Sequence, residues 1–574
     1  MLAAWRWVTV NRIVLATGLA AAIPVLGSLL QALDNRWLPL ADDAIIALRA
    51  YDVFSTHPPL VGQYSVASIP SVGSVYSPGP MLYWLLAPGA RLFGPTGVAL
   101  TVGLTNIASV MGAVALARRR GGLVLMFATA FGLALMCRSL PAQSLQVPWN
   151  PYIGLLPLTL LAFLAWSLAR GEPRLLAVSV LVTSFLVQCH LTFAIPSLGL
   201  LALGTLGLFA QRRSWRATAP RRWLVAAVLA GAACWSAPLV DAAVNNPGNL
   251  QTLLRTAAAE RPALGRDDAQ TIMVKAIGVP LRWLRRPRDE AQEFYELVAT
   301  PGTATVVSAA LVVAALIGVV LVGLRRRSEA ATGAGVALLL VAALGAVTAA
   351  TPIASAPVIA YTLRWAMPVG MFAWLVLAFG LFSLRRPRMA RQSAAPARGL
   401  RSAVVPLLAV LTAVGIAVAL GRPEDRRRWE YAAGRAALIP LEAELQPGST
   451  IVLASVSSGA GFDGLGFDLL PALSYGLRRH GVRVLVGPSF FAAAMGSGYE
   501  LRDRGYDARV FLQEGTGPPP PDSHVLARVP LDGAPAPPRR RVLTISIAAG
   551  AAQGGTARRG PARSGRRPQR SASG

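Results

Sequence analysis

Residues 13–33, IVLATGLAAAIPVLGSLLQAL, are followed after a short break by residues 40–65, LADDAIIALRAYDVFSTHPPLVGQYS. The first stretch is uncharged and long enough to cross a hydrocarbon core of roughly 30 Å, which takes about 20 apolar residues. It is also too long for a signal-peptide core of about 7 to 15 residues, so it reads as an uncleaved anchor despite Arg6 and Arg12 before it. The second stretch packs Asp42, Asp43, Asp52 and His57 into a chain that otherwise avoids charge. Carboxylates placed directly beyond a membrane span raise the question of what they do there.

The whole chain repeats the first pattern. With 574 residues, 54% hydrophobic, 14% charged and a mean hydropathy of +0.50, it is too apolar for an ordinary soluble domain. About eleven spans are expected. After residues 13–33 they run over 95–117, 122–137, 152–168, 175–189, 191–210, 223–240, 303–324, 331–350, 365–384 and 403–420.

Arginines near span ends are retained on the cytoplasmic side. ARRRGG, ARGEPR, QRRSWRATAPRR, GLRRRSE and LRRPRMARQSAAPARGLR fall on alternate connections. The expected N-terminus is therefore cytoplasmic. The first loop (34–80), a second large loop (241–302) and everything after Gly421 then face outward. RPEDRRRWE, just past the last span, disagrees locally, but reversing that span would place the longer basic segment outside. The formal charge of +28 is absorbed by these loops facing anionic lipid and by a basic tail, so no nucleic-acid partner is implied. Cys137, Cys189 and Cys234 lie in or at the ends of spans without CxxC spacing, which indicates neither a disulfide framework nor a zinc site.

The fold class expected is an all-α polytopic membrane protein, residues 1–420, followed by a small extracytoplasmic α/β domain, residues 421–533. STIVLAS, VRVLVGP and SHVLARVPL have strand character, and FDLLPALSYGLRRHG reads as an amphipathic helix ending at Gly481. Residues 534–574, rich in Pro, Gly, Ser and Arg, read as a mostly disordered tail. MLYWLLAPGARLFG, NLQTLLRTAAAE and VPLRWLRRPRDEAQEFYELV read as interfacial helices.

Asp42 and Asp43 open a helix, where either can simply satisfy free amides and the macrodipole. Alternatively, a carboxylate at the outer surface can act as a general base on a hydroxyl, its pKa raised by burial beside a second carboxylate. His57, on the same loop as Asp52, is a candidate to bind a donor phosphate or a metal, or is only an interfacial loop residue. Tyr76 in YSPGP is a candidate sugar contact, though turn chemistry alone explains the motif. A departing lipid phosphate also needs cations. Arg364, at the outer end of a span, is the leading candidate, with headgroup anchoring as the alternative; Arg255 and Arg282 follow. Asn150 reads as a helix cap, and Gln188 and His190 are left unassigned.

These features, together with HPPLVGQYS, SPGPMLYWLLAPGARLFG, WNPYIGLLP, SFLVQCHLTF and NNPGNL, resemble the glycosyltransferase C superfamily. Protein O-mannosyltransferases, aminoarabinose transferases and actinobacterial arabinofuranosyltransferases belong to it. The resemblance covers the first 300 residues or so, and the remainder only in layout. It implies inverting transfer of a sugar from a polyprenyl-phosphate donor to a cell-envelope glycan, lipid or protein acceptor at the outer face of the cell membrane. Asp43 or Asp42 would be the base, and Asp52, His57, Tyr76 and Arg364 would be substrate contacts. Several members carry Asp-Glu or Glu-Asp where this chain has Asp-Asp, which leaves open which carboxylate acts. No resident cofactor is implied, and a divalent cation is left open.

Gly459, Gly461 and Gly464 spell GxGxxG between a strand and a helix. No acid ends the next strand and the domain is expected outside, so these glycines read as turn and packing residues. A lipid or glycan transporter, or a non-catalytic scaffold, is the alternative function. A transporter would carry ionisable residues at mid-membrane and often repeated halves, whereas here the polar residues collect at the rim.

Overall fold

A computed structural model describes residues 2–65, 74–141, 143–211, 219–259, 261–287, 290–385, 403–456, 464–502, 504–534 and 542–550. Leu2–Ala21 (α1) and Ile23–Asp34 (α2) meet at a bend of 49°, where Pro24 lacks a backbone donor. Ala41–Tyr51 (α3) carries the acid pair in its first turn. Met81–Met136 (α4) is assigned as one helix but breaks at Gly94, φ 60°, and again at Gly121 and Gly122, φ 69° for the latter. Those breaks separate the expected interfacial segment and the next two expected spans.

The bundle continues through Asn150–Ile153 (α5), Leu155–Ala169 (α6), Leu176–Cys189 (α7), Ala194–Ala210 (α8) and Ala219–Val244 (α9). The second large loop folds as Asn249–Ala258 (α10), Gly265–Ile277 (α11) and Glu290–Val298 (α12). Thr303–Arg325 (α13), Glu329–Ala350 (α14), Ile359–Thr362 (α15), Ala366–Arg385 (α16) and Val404–Leu420 (α17) complete the membrane body. Helix α11 was not anticipated. It packs on α13, α14 and α16 through Ile272, Ala276 and Ile277, and Trp374 Nε1 donates to the Ile277 carbonyl at 2.8 Å.

Among the described residues seven helices are long and apolar enough to cross a membrane, or eight if the bent α1–α2 pair is one span. The expected figure of about eleven divides Met81–Ser139 in two and counts the shorter apolar helices Pro173–Cys189 and Val404–Leu420. Val228 and Leu229 on α9, Leu311 and Leu321 on α13 and Val405 on α17 are exposed, as expected of surfaces that hydrocarbon would cover. One end of the bundle gathers the basic connections. Glu172 binds Arg119, Arg120 and Arg174, and Glu329 binds Arg120 and Arg170. The acid pair lies at the opposite end.

Beyond the bundle, Arg428–Glu444 (α18) leads into a five-stranded sheet of order β2-β1-β3-β5-β4. Its strands are Thr450–Val456 (β1), Arg483–Leu485 (β2), Ala508–Glu514 (β3), Ser523–Pro530 (β4) and Val542–Ala549 (β5). β1 is parallel to β2 and β3, with Ile451 opposite Val484 and Ala508, and β5 runs antiparallel to β3 and β4. Leu465–Arg479 (α19) makes the β1–β2 crossover, and Phe490–Met495 (α20) follows β2. β5 lies inside the 534–574 segment expected as tail, so the α/β domain extends to this strand instead of ending at 533. Its run VLTISIAA is buried between two neighbours and follows a Pro/Arg-rich approach whose composition masked it. Of the GxGxxG glycines, Gly459 and Gly461 lie outside the described residues. Gly464 precedes α19, whose first amide, Leu465 N, donates to the chain's own Glu514 Oε1 at 2.7 Å.

The domain is docked on the membrane body by polar as well as apolar contacts. α19 packs on α3, and Tyr475 donates to the Ala90 carbonyl at 3.0 Å. Tyr499 donates to the buried Asp52 Oδ2 at 2.6 Å, and Arg478 Nε lies 3.4 Å from Oδ1. A hydrogen bond to a charged group contributes about 1.5–3 kcal/mol. Tyr499→Phe is therefore expected to lower the melting temperature of the full chain and to increase proteolysis between α17 and α18. An unchanged melt and digest would show that this contact does not hold the domain in place.

Candidate active site

The sequence stretches that carry the resemblance are scattered along the first half of the chain, and they converge at the acidic end. Residues 62–65 pair with 74–77: Gly62 N donates to Ser77 O at 3.0 Å and Ser65 N to Val75 O at 2.8 Å. Asn249, in NNPGNL, pins that pair, accepting from Tyr76 N at 3.1 Å and donating to Tyr76 O at 3.2 Å. Asp241 orients Asn249 by accepting its amide at 2.7 Å. Asn150 and Ser77 both donate to the Cys189 carbonyl, at 3.0 and 3.2 Å. Gln188 donates to Cys234 O at 2.8 Å and accepts from Met81 N at 3.3 Å. His190 Nδ1 lies 2.8 Å from Thr192 Oγ1, which donates to Thr362 O at 3.3 Å. Asn150 and Gln188 thus serve as struts between elements.

Both aspartates of α3 are partly exposed, but their oxygens are treated differently. Asp42 is occupied on both: Gln63 Nε2 donates to Oδ1 at 3.3 Å and Trp149 Nε1 to Oδ2 at 3.2 Å. Gln63 is held in turn by the Tyr83 hydroxyl, 3.3 Å from its Oε1. Asp43 Oδ1 is shut off from water and has no hydrogen-bond partner. Burial raises the pKa of Asp42 against the lowering effect of its two donors. For Asp43 burial pushes the pKa up to about 8, with the Arg427 charge and a hydrogen bond from the Trp149 backbone opposing and Asp42 adding to the rise.

Arg427, from the segment joining α17 to α18, is the cation closest in influence to Asp43. It pairs with Glu430 at 2.7 Å and with Asp468 on α19, so the α/β domain supplies part of the wall around the acids. Upstream, Asp425 accepts from Tyr431 at 2.8 Å and from Gln143, tying the same segment to the membrane body.

A second, basic compartment is built largely by the second large loop. A cavity of about 490 Å³ is lined by Arg138, Arg282, Arg285 and Arg286 with Glu293 and Glu296. Glu293 Oε1 is shared by Arg282 at 2.7 Å and Arg364 at 2.8 Å, the latter only 2% exposed. Burial alone would raise the Glu293 pKa, but the two guanidiniums outweigh it and hold the carboxyl below its ordinary range. Trp149 donates to Asp42, and its ring lies 4.5 Å from that of Tyr361, three residues before Arg364.

The structure sets Asp42 and Asp43 side by side near Trp149 and Arg427, and holds Arg364 on Glu293 in the second large loop; the other expected contacts lie elsewhere. Asp52 is engaged by Tyr499 and Arg478. His57 is exposed, its Nδ1 2.9 Å from Thr56 Oγ1. Tyr76 donates to Ala493 O at 3.1 Å, at the domain junction. Arg255 on α10 lines neither compartment. Trp149, Arg427, Arg138, Arg285, Arg286 and Glu293 were missed. For Arg285, Arg286 and Arg427 a signal was present, because RWLRRPR and RPEDRRRWE are arginine runs on the expected outer side, where arginines should be depleted. Among the described residues no three His, Cys, Asp or Glu side chains are placed to hold a metal ion.

No protein-family model matches the chain, and no curated protein matches it. Among solved structures it is similar to the Archaeoglobus fulgidus oligosaccharyltransferase crystallised with zinc and sulfate. That match has 13% identity over 86% of this chain and 67% of that one, with a TM-score of 0.33. At that level no residue is carried from one chain to the other.

Proposed function

We propose that the chain is a membrane glycosyltransferase that moves a sugar from a polyprenyl-phosphate donor to a cell-envelope glycan, lipid or protein acceptor at the extracytoplasmic face, with inversion. The observation that carries this reading is Asp43 Oδ1: a carboxyl oxygen secluded from water, without a donor, at the point where the motif stretches converge. A buried carboxyl oxygen without a donor needs an explanation, and a proton-accepting role supplies one. The basic end of the bundle, rich in arginine, is assigned to the cytoplasm and the acidic end to the outside.

In this mechanism the acceptor hydroxyl oxygen attacks the anomeric carbon from the face opposite the phosphate. The C–O bond to phosphate breaks with its electron pair leaving on the phosphate oxygen, and the hydroxyl proton passes to Asp43. Asp42, with both oxygens held by Gln63 and Trp149, positions the helix turn and keeps the Asp43 pKa high. The arginine-lined cavity receives the phosphate, where fixed cations stabilise charge that grows as the bond breaks. The transporter reading receives less support, because the ion pairs among the described residues cluster at the two ends of the bundle or in the α/β domain.

Transfer from a panel of radiolabelled polyprenyl-phosphate sugars by the purified full chain tests the proposal; no transfer from any donor, in the presence of mixed envelope acceptors, would sink it. A pH profile adds a second check. Asp43 must be ionised to take a proton, so kcat/KM is expected to rise about tenfold per pH unit below about 8 and level off above it. A profile flat between pH 6 and 8 would remove Asp43 as the base.

A further inference from the structure

Helix α3 carries a cation on the same face as Asp42. Arg49 follows Asp42 by seven residues, about two helical turns or roughly 10 Å along the axis, so the two side chains leave the helix on one side. The space between them is filled by Tyr83 of α4 and by Gln63, which are 1% and 5% exposed. Arg49 hydrogen-bonds the Tyr83 hydroxyl. That hydroxyl lies 3.3 Å from Gln63 Oε1, and Gln63 Nε2 lies 3.3 Å from Asp42 Oδ1. Arg49 Nη1 also donates to the carbonyl of Met495, the last residue of α20, at 3.1 Å. Gly496 follows with φ 100°, and a Cβ on it would stand 2.5 Å from the same Nη1. The backbone and the guanidinium both demand a glycine there.

The direction of this chain of hydrogen bonds is fixed by its ends. A guanidinium has only donors, so the Tyr83 oxygen accepts from Arg49 and its own proton is left for Gln63 Oε1. The Gln63 amide is thereby turned with its N–H groups toward Asp42. An indole N–H likewise only donates, and Trp149 supplies one to Asp42 Oδ2 at 3.2 Å. Both oxygens of Asp42 therefore face donors, an arrangement that suits a carboxylate and would set a carboxylic acid's O–H against another N–H. A buried network of either polarity would serve for packing. This one delivers side-chain donors to one acid of the pair and nothing to Oδ1 of the other.

We infer that Arg49 and Tyr83 are positioning residues of the acid pair: they turn Gln63 so that Asp42 is kept as an acceptor of hydrogen bonds, which leaves Asp43 as the base. Because Arg49 is tethered to Met495, this sorting depends on the α/β domain being docked. The inference rests on the proposed function for the word base, whereas the sorting itself needs no turnover.

The test is a pH titration of the protonated-carboxyl infrared band on the full chain in nanodiscs, reading the part of the band that Asp42→Asn removes in each background. Tyr83→Phe keeps the ring and removes the hydroxyl. Arg49→Met keeps the length and removes the donors, and Gln63→Leu removes the last donor and shows the full effect. Besides its two donors Asp42 faces Asp43, Asp468 of α19 and Tyr83, while Asp43 faces Arg427 and Tyr431 of α18. A donor lost to the charged form raises a carboxyl's pKa. Asp42 is therefore expected to hold its proton to higher pH in all three variants, by about half a unit to one unit, a three- to tenfold gain in proton affinity. In a transfer assay Tyr83→Phe should lower kcat about three- to tenfold with both KM values nearly unchanged, and should cost nothing further when added to Asp42→Asn. An unmoved Asp42 titration in either Tyr83→Phe or Arg49→Met overturns the inference. The expected shifts in a chain that transfers sugar from no polyprenyl-phosphate donor would leave the sorting standing and sink the proposed function.

Discussion

Asp43→Asn is expected to reduce glycosyl transfer by about 10²- to 10⁴-fold, the range for loss of a general base, while making the protein more stable. The two effects share one cause. Burial raises the Asp43 pKa to about 8, so the folded chain keeps a proton that the unfolded chain releases near 4. Between those values the folded state binds more protons than the unfolded state, and stability therefore falls as pH rises through that window, with the full loss reached above about 8. Asparagine is nearly isosteric and does not ionise, so it escapes that loss. The variant's melting temperature should match the parent's near pH 4 and exceed it increasingly up to about pH 8. Asp42→Asn should cost less turnover, since its carboxyl already accepts from Gln63 and Trp149. Full turnover in Asp43→Asn, or a variant that melts lower than the parent at pH 8, would show that this carboxyl is held by a partner instead of being stored for catalysis.

Arg364→Gln is expected to act on both stability and rate. Its guanidinium is almost completely buried and shares Glu293 Oε1 with Arg282. Removing one partner of a buried pair costs about 3–5 kcal/mol, and because Arg282 remains on Glu293 the lower end applies. Arg364 does not line the arginine cavity but shares Glu293 with Arg282, which does, so its loss should act on the phosphate site through Arg282 and lower kcat by a further factor of about 10 to 100, the range for outer-shell partners. Glu293→Gln separates the two effects. It also breaks the pair and should lower the melting temperature, yet it leaves both arginines to meet a phosphate, so donor KM should stay level or fall. Equal losses of turnover in the two variants at temperatures where both are folded would reduce Arg364 to a structural residue.

Much of the membrane body was legible residue by residue. Each expected span coincides with helix apart from its terminal residues and single-residue breaks at Ala22 and Gly154, because a run of uncharged apolar residues has one good solution in hydrocarbon, where every backbone group must be satisfied within the segment. The division of α4 into three segments was readable too, but the interruption expected at Pro88 and Gly89 falls at Gly94, where glycine permits the turn. What escaped was short or amphipathic. Helix α11 has too few apolar residues to announce itself, and β5 is a brief run hidden between stretches of Pro and Arg. The local conflict at RPEDRRRWE was informative: an arginine on the expected outer side, against the inside bias, calls for a fixed anionic partner, and Arg427 has Glu430 and Asp468.

The acids were visible in the sequence, but their division of labour was not. Adjacent positions Asp42 and Asp43 share helix, turn and dipole, so periodicity and capping treat them alike. Only packing distinguishes them, by bringing Gln63 and Trp149 to one and leaving an oxygen of the other without a partner. In the same way Asp52, equally conspicuous along the chain, is claimed by Tyr499 from a point far downstream. The sequence alone determined where the chain can enter a bilayer and where charge must lie outside it, because those are properties of windows some twenty residues long. Tertiary structure decided which charges meet, since hydrogen bonding and desolvation depend on neighbours that lie far apart in the chain and within a few ångströms in space.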